Sequence, residues 1–593
     1  MKAVYRLALQ SGVGHGMMLL MACLAVLSSF VAVLPPHFLG AIVNAVSGEA
    51  GVYSSFPALN RMMEVALRVT AQPIIAFSLL FFLSSCLAVV VRNIFVLVVS
   101  VCANRFVLHT RKACIAALTG SRRRDIAAFS SGDLVHRVMM DSIQLHYLVG
   151  TPLYVLLSDL FDLLWVAFFI ALLDWRILLV LASVFPLLYV LGRRTGRRRR
   201  AIARESQEAE AECTGYVQRL LSGLDTIKVF GAEERERRGF SRLLDGIYTL
   251  EKRSSFSLGA FFCLEGALRA AGTIAAVAYS AVLALDEPAY AGSIPVLILY
   301  AQKFYAPLGN WARFYQVIQK SVVSFRRIRD VLDLPEEGPG PRPLAAGEHS
   351  GGKAPSVFPF AVRGNVLLDS GGRVGLDLTL DGPGLVIVRG RSGVGKTQFA
   401  RSLLSLGPPF EGEVRAGTLR LNGDNLLLLR PLVAFASQEG HFIPGTIARN
   451  LAYPDDEHNM DRDRCARLLE DLGLEGFSLD DEVEEYARNL SLGEGRRLTL
   501  GRALYSLRPV LLLDEIDANV DPETRKRLYA LIERERHARA VIMITHVNAA
   551  ELRHIEHTCI VLGDGAAGTA SGAASGLEQG AGQGVGRGRT RSR

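Results

Sequence analysis

No two cysteines in this 593-residue chain are spaced as CxxC, and none of the eight falls at a zinc-ligand spacing. That excludes a disulfide framework or a structural zinc module as the basis of the fold. Cys23, Cys86, Cys102 and Cys263 lie in or beside apolar segments and read as core or lipid-facing residues. Also lacking is a small-residue cleavage site close behind the N-terminal apolar run, which continues into Pro35 and Pro36. The run therefore reads as a first transmembrane helix and not as a cleaved signal peptide. Apolar residues are scarce in 563–593, which is mostly Gly, Ala, Ser and Arg. That stretch cannot bury enough surface to fold and is expected to form a disordered tail.

Elsewhere the chain is rich in apolar residues. Half of all residues are hydrophobic, the mean hydropathy is +0.25, and the excess is concentrated before about residue 310. A helix needs about 20 apolar residues to cross a bilayer. The segments 16–38, 73–101, 152–173, 176–192, 256–284 and 291–311 meet this requirement and predict six spans. The third and fourth are parted by Asp174-Trp175-Arg176, a charged turn with an interfacial aromatic. The loops 102–151 and 193–255 are long, basic and helical in pattern, with Arg122–Arg124, Arg193, Arg194 and Arg197–Arg200 among them. Such clusters beside apolar spans point to positive-inside topology, so these loops and both termini are expected in the cytoplasm. The fifth span carries Glu265 and Arg269, four apart on one helix face. They read either as a structural ion pair or as lining of a cavity.

The chemistry-bearing motifs lie in the last third. GRSGVGKT, Gly390–Thr397, has the spacing G-x-x-x-x-G-K-[ST]. It follows an apolar run, Leu385–Val388, that reads as a strand, and precedes Gln398–Leu404, which reads as a helix. That context marks a phosphate-binding loop: backbone N–H groups and the helix N-terminus cradle phosphates. ATP-binding positions are Gly390, Arg391, Ser392, Gly393, Val394, Gly395, Lys396, Thr397 and Gln398. Lys396 reaches the β/γ-phosphates, and the Thr397 hydroxyl sits on Mg²⁺. LLLDE, Leu511–Glu515, reads as a buried strand ending in two carboxylates. Asp514 there holds Mg²⁺, and Glu515 orients and deprotonates water. Ile542–Ile544 reads as another strand, and His546 just beyond it is placed to contact the γ-phosphate.

These motifs, in this order, resemble those of the ATP-binding cassette half-transporters of the exporter type, and the resemblance covers nearly the whole chain except the tail. It implies a membrane α-helical bundle of six transmembrane helices followed by an α/β P-loop NTPase domain. The boundaries are 1–334 for the transmembrane domain, 335–356 for a Pro/Gly/Ala-rich linker, 357–562 for the nucleotide-binding domain and 563–593 for the tail. Gln438 resembles the family's Q-loop glutamine, which senses Mg²⁺ and the membrane domain. Glu482, Val483 and Glu485 resemble the X-loop, and Ala518–Asp521 the D-loop. Ser491, Leu492, Gly493 and Glu494 stand in the place of the signature, which contacts ATP across a dimer. Asp514 and Glu515 match the Walker B Asp and the catalytic Glu, and His546 the switch His. Ser131–Asp141 and Ser222–Gly231 are similar to the two intracellular loops whose coupling helices dock on the nucleotide domain, and Phe325–Asp333 to the exit from the sixth span.

Two departures stand out. Ser370 falls where the family places an adenine-stacking aromatic, and Phe358 and Phe360 lie too early. The signature reads LSLGE, with Leu492 replacing a small residue where backbone approaches phosphate. It is either a tolerated variant or the mark of an asymmetric heterodimer. The resemblance thus implies ATP and Mg²⁺ as cofactors, a second half-transporter as partner, membrane lipid around the bundle and no nucleic acid. The expected function is ATP-driven transport, taken as export, in the bacterial plasma (inner) membrane. An ATP-gated regulator or channel, or an importer on the same fold, shares every motif. The lack of an N-terminal peptidase-like extension speaks against a peptide exporter that trims its cargo. The substrate itself is not legible.

Overall fold

The computed structural model describes residues 14–47, 57–70, 72–286, 292–338, 357–368, 372–391, 393–423, 425–438, 440–455, 459–484, 488–518, 520–546, 555–562 and 568–570. Contacts divide the chain into two units. One takes residues up to Ala116 and Ser131–Leu332; the other takes Ala117–Ser130 and everything from Asp333.

The first unit is helical. Its main elements are α1 (His15–Val46), α2 (Pro57–Val69), α3 (Pro73–Gly120), α4 (Thr151–Ala182), α5 (Val184–Ser222), α6 (Leu224–Val229), α7 (Glu233–Asp286) and α8 (Ser293–Leu332). Four stretches among the described residues are long and apolar enough to cross a membrane: His15–Val46, Pro73–Gly120, Leu156–Ser222 and Glu233–Leu285. The third takes in the expected span 176–192 and residues 156–173 of the one expected at 152–173. They part at Asp174, whose backbone is extended (φ −162°, ψ 119°) and whose carboxylate accepts the Arg176 N–H. The span expected at 291–311 lies in α8, which is continuous but not among the four; Gln302, Lys303 and Asn310 dilute its apolar run.

The bundle core joins α1, α4, α5, α7 and α8 through Val33, Ile170, Val184, Ala276, Leu297 and Phe304. Two buried tyrosines satisfy their hydroxyls on backbone carbonyls of other helices: Tyr300 on Val33 at 2.8 Å and Tyr305 on Leu181 at 2.9 Å. Such partners are needed where no water reaches. Glu265 is buried and lies 3.7 Å from Arg269, so the pair is a contact along one helix face. Farther along, the segment Ser131–Asp141 is tied to the end of α8. Asp133 accepts from Arg137 at 2.8 Å and from Arg327 at 2.6 Å, Arg137 also reaches Asp330 at 3.1 Å, and Ser324 donates to Asp141 at 2.7 Å.

The second unit is α/β. An antiparallel sheet runs β2-β1-β4-β5, with β1 Phe360–Leu367, β2 Arg373–Leu380, β4 Phe410–Ala416 and β5 Leu419–Leu421. A six-stranded sheet runs β12-β11-β3-β10-β9-β6. Here β3 is Gly384–Gly390, β6 Val433–Ala436, β9 Val510–Asp514, β10 Ala540–Ile544, β11 Thr558–Leu562 and β12 Gly568–Ala570, while β7 (Gly445–Thr446) and β8 (Glu482–Val483) pair separately. The strands from β11 to β6 are parallel, and only β12 is antiparallel. All five residues of β9 and of β10 are buried, as strands covered on both faces must be. Their side chains divide between two cores, with Leu511, Leu513, Val541 and Met543 on one side and Leu512 and Ile542 on the other. This arrangement brings the C-terminal ends of β3, β9 and β10 side by side. In open parallel sheets, ligands bind at that edge.

The linker is described only to residue 338, and nothing after residue 570 is described. Ser370, Ser392, Glu485 and Asn519 also lie outside the described residues.

Candidate nucleotide site

The phosphate loop connects β3 to α9 (Lys396–Leu403). Gly393 and Gly395 take φ of +82° and +97°, left-handed values that favour glycine. A Cβ on Gly395 would also strike the side chain of Leu368, so the loop is held from below by that residue. Lys396 is buried, and its Nζ donates to the carbonyls of Gly390 (3.0 Å) and Arg391 (3.1 Å). Burial pulls its pKa below the usual lysine value, while Glu515 and Asp514 act the other way. The ammonium is thus folded over its own loop, at the place where phosphate oxygens would meet it.

At the end of β9 the two carboxylates are in different surroundings. Asp514 is fully buried and accepts from the Thr397 hydroxyl through Oδ1 at 3.2 Å. Burial raises its pKa from 3.8 to about 6. Its other oxygen, Oδ2, is buried without a hydrogen-bond partner. A buried carboxylate oxygen left open beside a threonine hydroxyl suits a divalent cation. Among the described residues no cluster of three or more His, Cys, Asp or Glu could hold a metal. Thr397 and Asp514 as the protein side of such a site fit the Mg²⁺ pattern of few protein ligands completed by substrate phosphates.

Glu515 leaves the strand in a left-handed conformation, φ +52°. Its N–H donates to the carbonyl of Ile544 at 3.0 Å. The carboxylate is bracketed, with Gln438 Nε2 donating to Oε2 at 2.9 Å and His546 Nε2 lying 2.8 Å from Oε1. The expected residues thus meet in two sets, Thr397 with Asp514 and Gln438 and His546 with Glu515, while Lys396 bonds to its own loop. Gln438 makes its contact to Glu515, with none to Asp514 among the described residues.

The signature segment is built differently. Ser491 caps α10 (Leu492–Tyr505). Its hydroxyl accepts the Glu494 N–H at 3.3 Å, and the Glu494 carboxylate accepts the Ser491 N–H at 2.8 Å. This reciprocal capping box satisfies two donors at the helix start. The bond from Ser491 holds the Glu494 carboxyl below its usual pKa. Leu492 is 63% exposed, so packing in this chain does not explain it. The side-chain bonds of Ser491 and Glu494 are to each other, and among the described residues none joins them to the phosphate loop.

Two residues that sequence reasoning passed over hold the site together. Asp517 is buried and accepts hydroxyls from Thr545 (2.7 Å) and Tyr529 (2.8 Å). It thereby ties the loop after Glu515 to the residue before His546. Arg496, also buried, donates to the carbonyl of Ala518 in the same loop. The signal for Asp517 was an acid two positions past a catalytic pair, which spacing alone does not mark.

Comparison with known proteins agrees with this construction. The family model described as "ABC transporter transmembrane region" matches residues 18–308, and the one described as "ABC transporter" matches residues 374–518. An ATP-dependent lipid A-core flippase of Ralstonia nicotianae is 26% identical over 485 residues, covering 78% of this chain and 79% of its own. A protein of the same description from Bordetella avium is 25% identical, covering 75% and 76%. Among solved structures, a bacterial Atm1-family ABC exporter with ATP bound superposes with a TM-score of 0.69 at 18% identity, covering 94% of this chain and 96% of the other. At that identity the likeness is one of fold. The two matched regions together take in most of the chain, and the chain belongs to the ABC transporter family, as an ATPase fused to an exporter-fold membrane domain.

Proposed function

We propose that this chain is one half of an ATP-driven exporter whose cargo is an amphipathic lipid, working as a dimer in the bacterial inner membrane with its nucleotide-binding domain in the cytoplasm. The observation that carries the ATPase role is the bracketing of Glu515 by Gln438 and His546, beside Lys396 and Asp514. The lipid reading is supported by the flippase relatives.

In the proposed cycle Lys396 turns from its loop carbonyls to the β/γ-phosphates, and loop N–H groups of Gly390–Gln398 take the remaining oxygens. Thr397 and Asp514 would hold Mg²⁺, with Gln438 nearby, and the ion would supply charge neutralisation at the phosphates. Glu515 orients and deprotonates the attacking water, and His546 fixes that carboxylate and reaches the γ-phosphate. Ser491, Leu492, Gly493 and Glu494 cap the ATP of the partner. The side-chain oxygens of Ser491 and Glu494 are engaged in the capping box. Contact from this segment therefore falls to its backbone and to the dipole of α10. The exposed Leu492 at that surface favours a non-identical partner with a leaner signature.

The test is movement of an acyl-labelled lipid between leaflets of proteoliposomes holding the purified chain. ATP-dependent movement, lost in Glu515→Gln, is expected. ATP hydrolysis without vectorial movement of any lipid probe would overturn the lipid-exporter reading and leave an ATP-gated regulator. Tagged chain recovered from native membranes should bring a second half-transporter, and a single chain species would remove the heterodimer.

A further inference from the structure

Inside the helical unit lies a cavity of about 330 Å³ lined by side chains of α1, α3, α4 and α8. Its ionisable residues are Arg92, Asp159, Asp162 and Lys303, with Ser28 and Asn310 beside them. Each of the four falls well within an expected span, where an unpaired charge is costly. A cluster of four at that depth needs a reason, and mutual neutralisation is the first to examine. No ion pair within 4 Å joins either acid to either base among the described residues. Instead, Lys303 donates to the carbonyl of Ala32 at 2.7 Å, and Asn310 donates to Asp159 at 3.0 Å. Asp162 has one carboxylate oxygen, Oδ1, buried without a hydrogen-bond partner. Two acids and two bases thus share the cavity, close enough to feel one another's charge but with no direct ion pair among the described residues.

We propose that this cavity is a binding site for a zwitterionic lipid head group, with its ammonium toward Asp159 and Asp162 and its phosphate toward Arg92 and Lys303. The assignment rests on the lipid-exporter reading and adds the head-group class. An anionic head group would leave the two carboxylates facing it without compensation. A purely cationic one would meet Arg92 and Lys303. A ligand carrying both charges, a few ångströms apart, satisfies both sides, including the open oxygen of Asp162. Desolvated charge pairs of this kind discriminate strongly, because the wrong partner leaves a buried charge alone.

The experiment is native mass spectrometry of the full chain in dodecyl maltoside, titrated with phosphatidylethanolamine and with phosphatidylglycerol of the same acyl chains. The wild type should retain phosphatidylethanolamine in preference. Asp162→Asn should weaken that retention about tenfold, as loss of one charge-assisted hydrogen bond predicts, and Asp162→Glu should restore most of it. Soluble phosphoethanolamine should compete on the wild type where glycerol phosphate does not, a result that needs no variant to fold. Equal retention of the two lipids, unchanged retention in Asp162→Asn, or failure of phosphoethanolamine to compete would each overturn the site. Leaflet movement measured in parallel keeps the two readings apart. Head-group selectivity without movement sinks export alone, and movement without selectivity sinks the site alone.

Discussion

Glu515 is held in a left-handed backbone conformation with a side-chain donor on each oxygen. Such placement is costly for a residue with a Cβ and persists where surrounding contacts enforce it. We expect Glu515→Gln to bind ATP and to lose turnover by about 10²–10⁴-fold, the range for a positioned general base. Normal phosphate release from that variant would refute the role. Asp514 yields a prediction in pH. Its carboxyl pKa rises from 3.8 to about 6 on folding, chiefly through burial. The folded state therefore binds this proton more tightly than the unfolded state. Its stability falls as pH climbs from 3.8 to about 6 and stays lowered above that. In nucleotide-free protein Asp514→Asn should raise stability at pH 7 by about 1–3 kcal/mol, with the gain vanishing near pH 4. A pH-independent melting difference would contradict it. Lys396, Thr397, Asp514 and Glu515 were legible because their motifs have fixed spacing and flank readable strands. Asp517 was not, because its value lies in meeting Thr545 and Tyr529 across the fold. Asp517→Ala would remove the acceptor that two buried hydroxyls share, at about 1–3 kcal/mol. It should lower turnover more than ATP affinity, and an unchanged ratio of the two would leave Asp517 a purely structural residue.

At the scale of elements, the strands that carry the site were readable because buried parallel strands are continuous apolar runs, as in Leu511–Leu513 and Ile542–Ile544. Helix starts were less so. The signature segment reads in sequence as a contact to nucleotide, whereas within the chain its Ser491 and Glu494 serve the start of α10. The spacing S-x-x-E carried that information all along. Ser491→Ala should speed amide exchange across Leu492–Gly495 about fivefold, equivalent to about 1 kcal/mol of lost capping. Glu494→Gln should change it little, since glutamine also closes the box. If neither variant alters exchange, the cap contributes nothing and the pair is free to face a partner's ATP. The turn at Asp174 was legible from its charge, whereas the role of Lys303 in α8 was not. Only the packed bundle shows that its ammonium reaches a carbonyl of α1.

For the whole molecule the question is how hydrolysis in one unit reaches the other. The chain carries a candidate device in α6 and its exit, within the segment resembling the second intracellular loop. This helix of six residues sits between two long ones, α5 and α7. Its end presents Val229 and Phe230, 80% and 79% exposed. Two large apolar side chains side by side at the tip of a charged loop are unusual for a solvated surface and suit a docking contact. The fold of this unit does not require them, since neither is buried in it. Phe230→Glu should therefore leave folding and ATP binding intact while cutting lipid movement about 30-fold, the loss expected of an aromatic anchor worth about 2 kcal/mol. Hydrolysis should continue at its basal rate but no longer respond to lipid. Measuring ATP turnover and leaflet movement on the same proteoliposomes separates this outcome from simple misfolding, which would depress both. If movement and turnover persist together in Phe230→Glu, coupling runs through other contacts and the exposed pair at the tip of α6 is not the link.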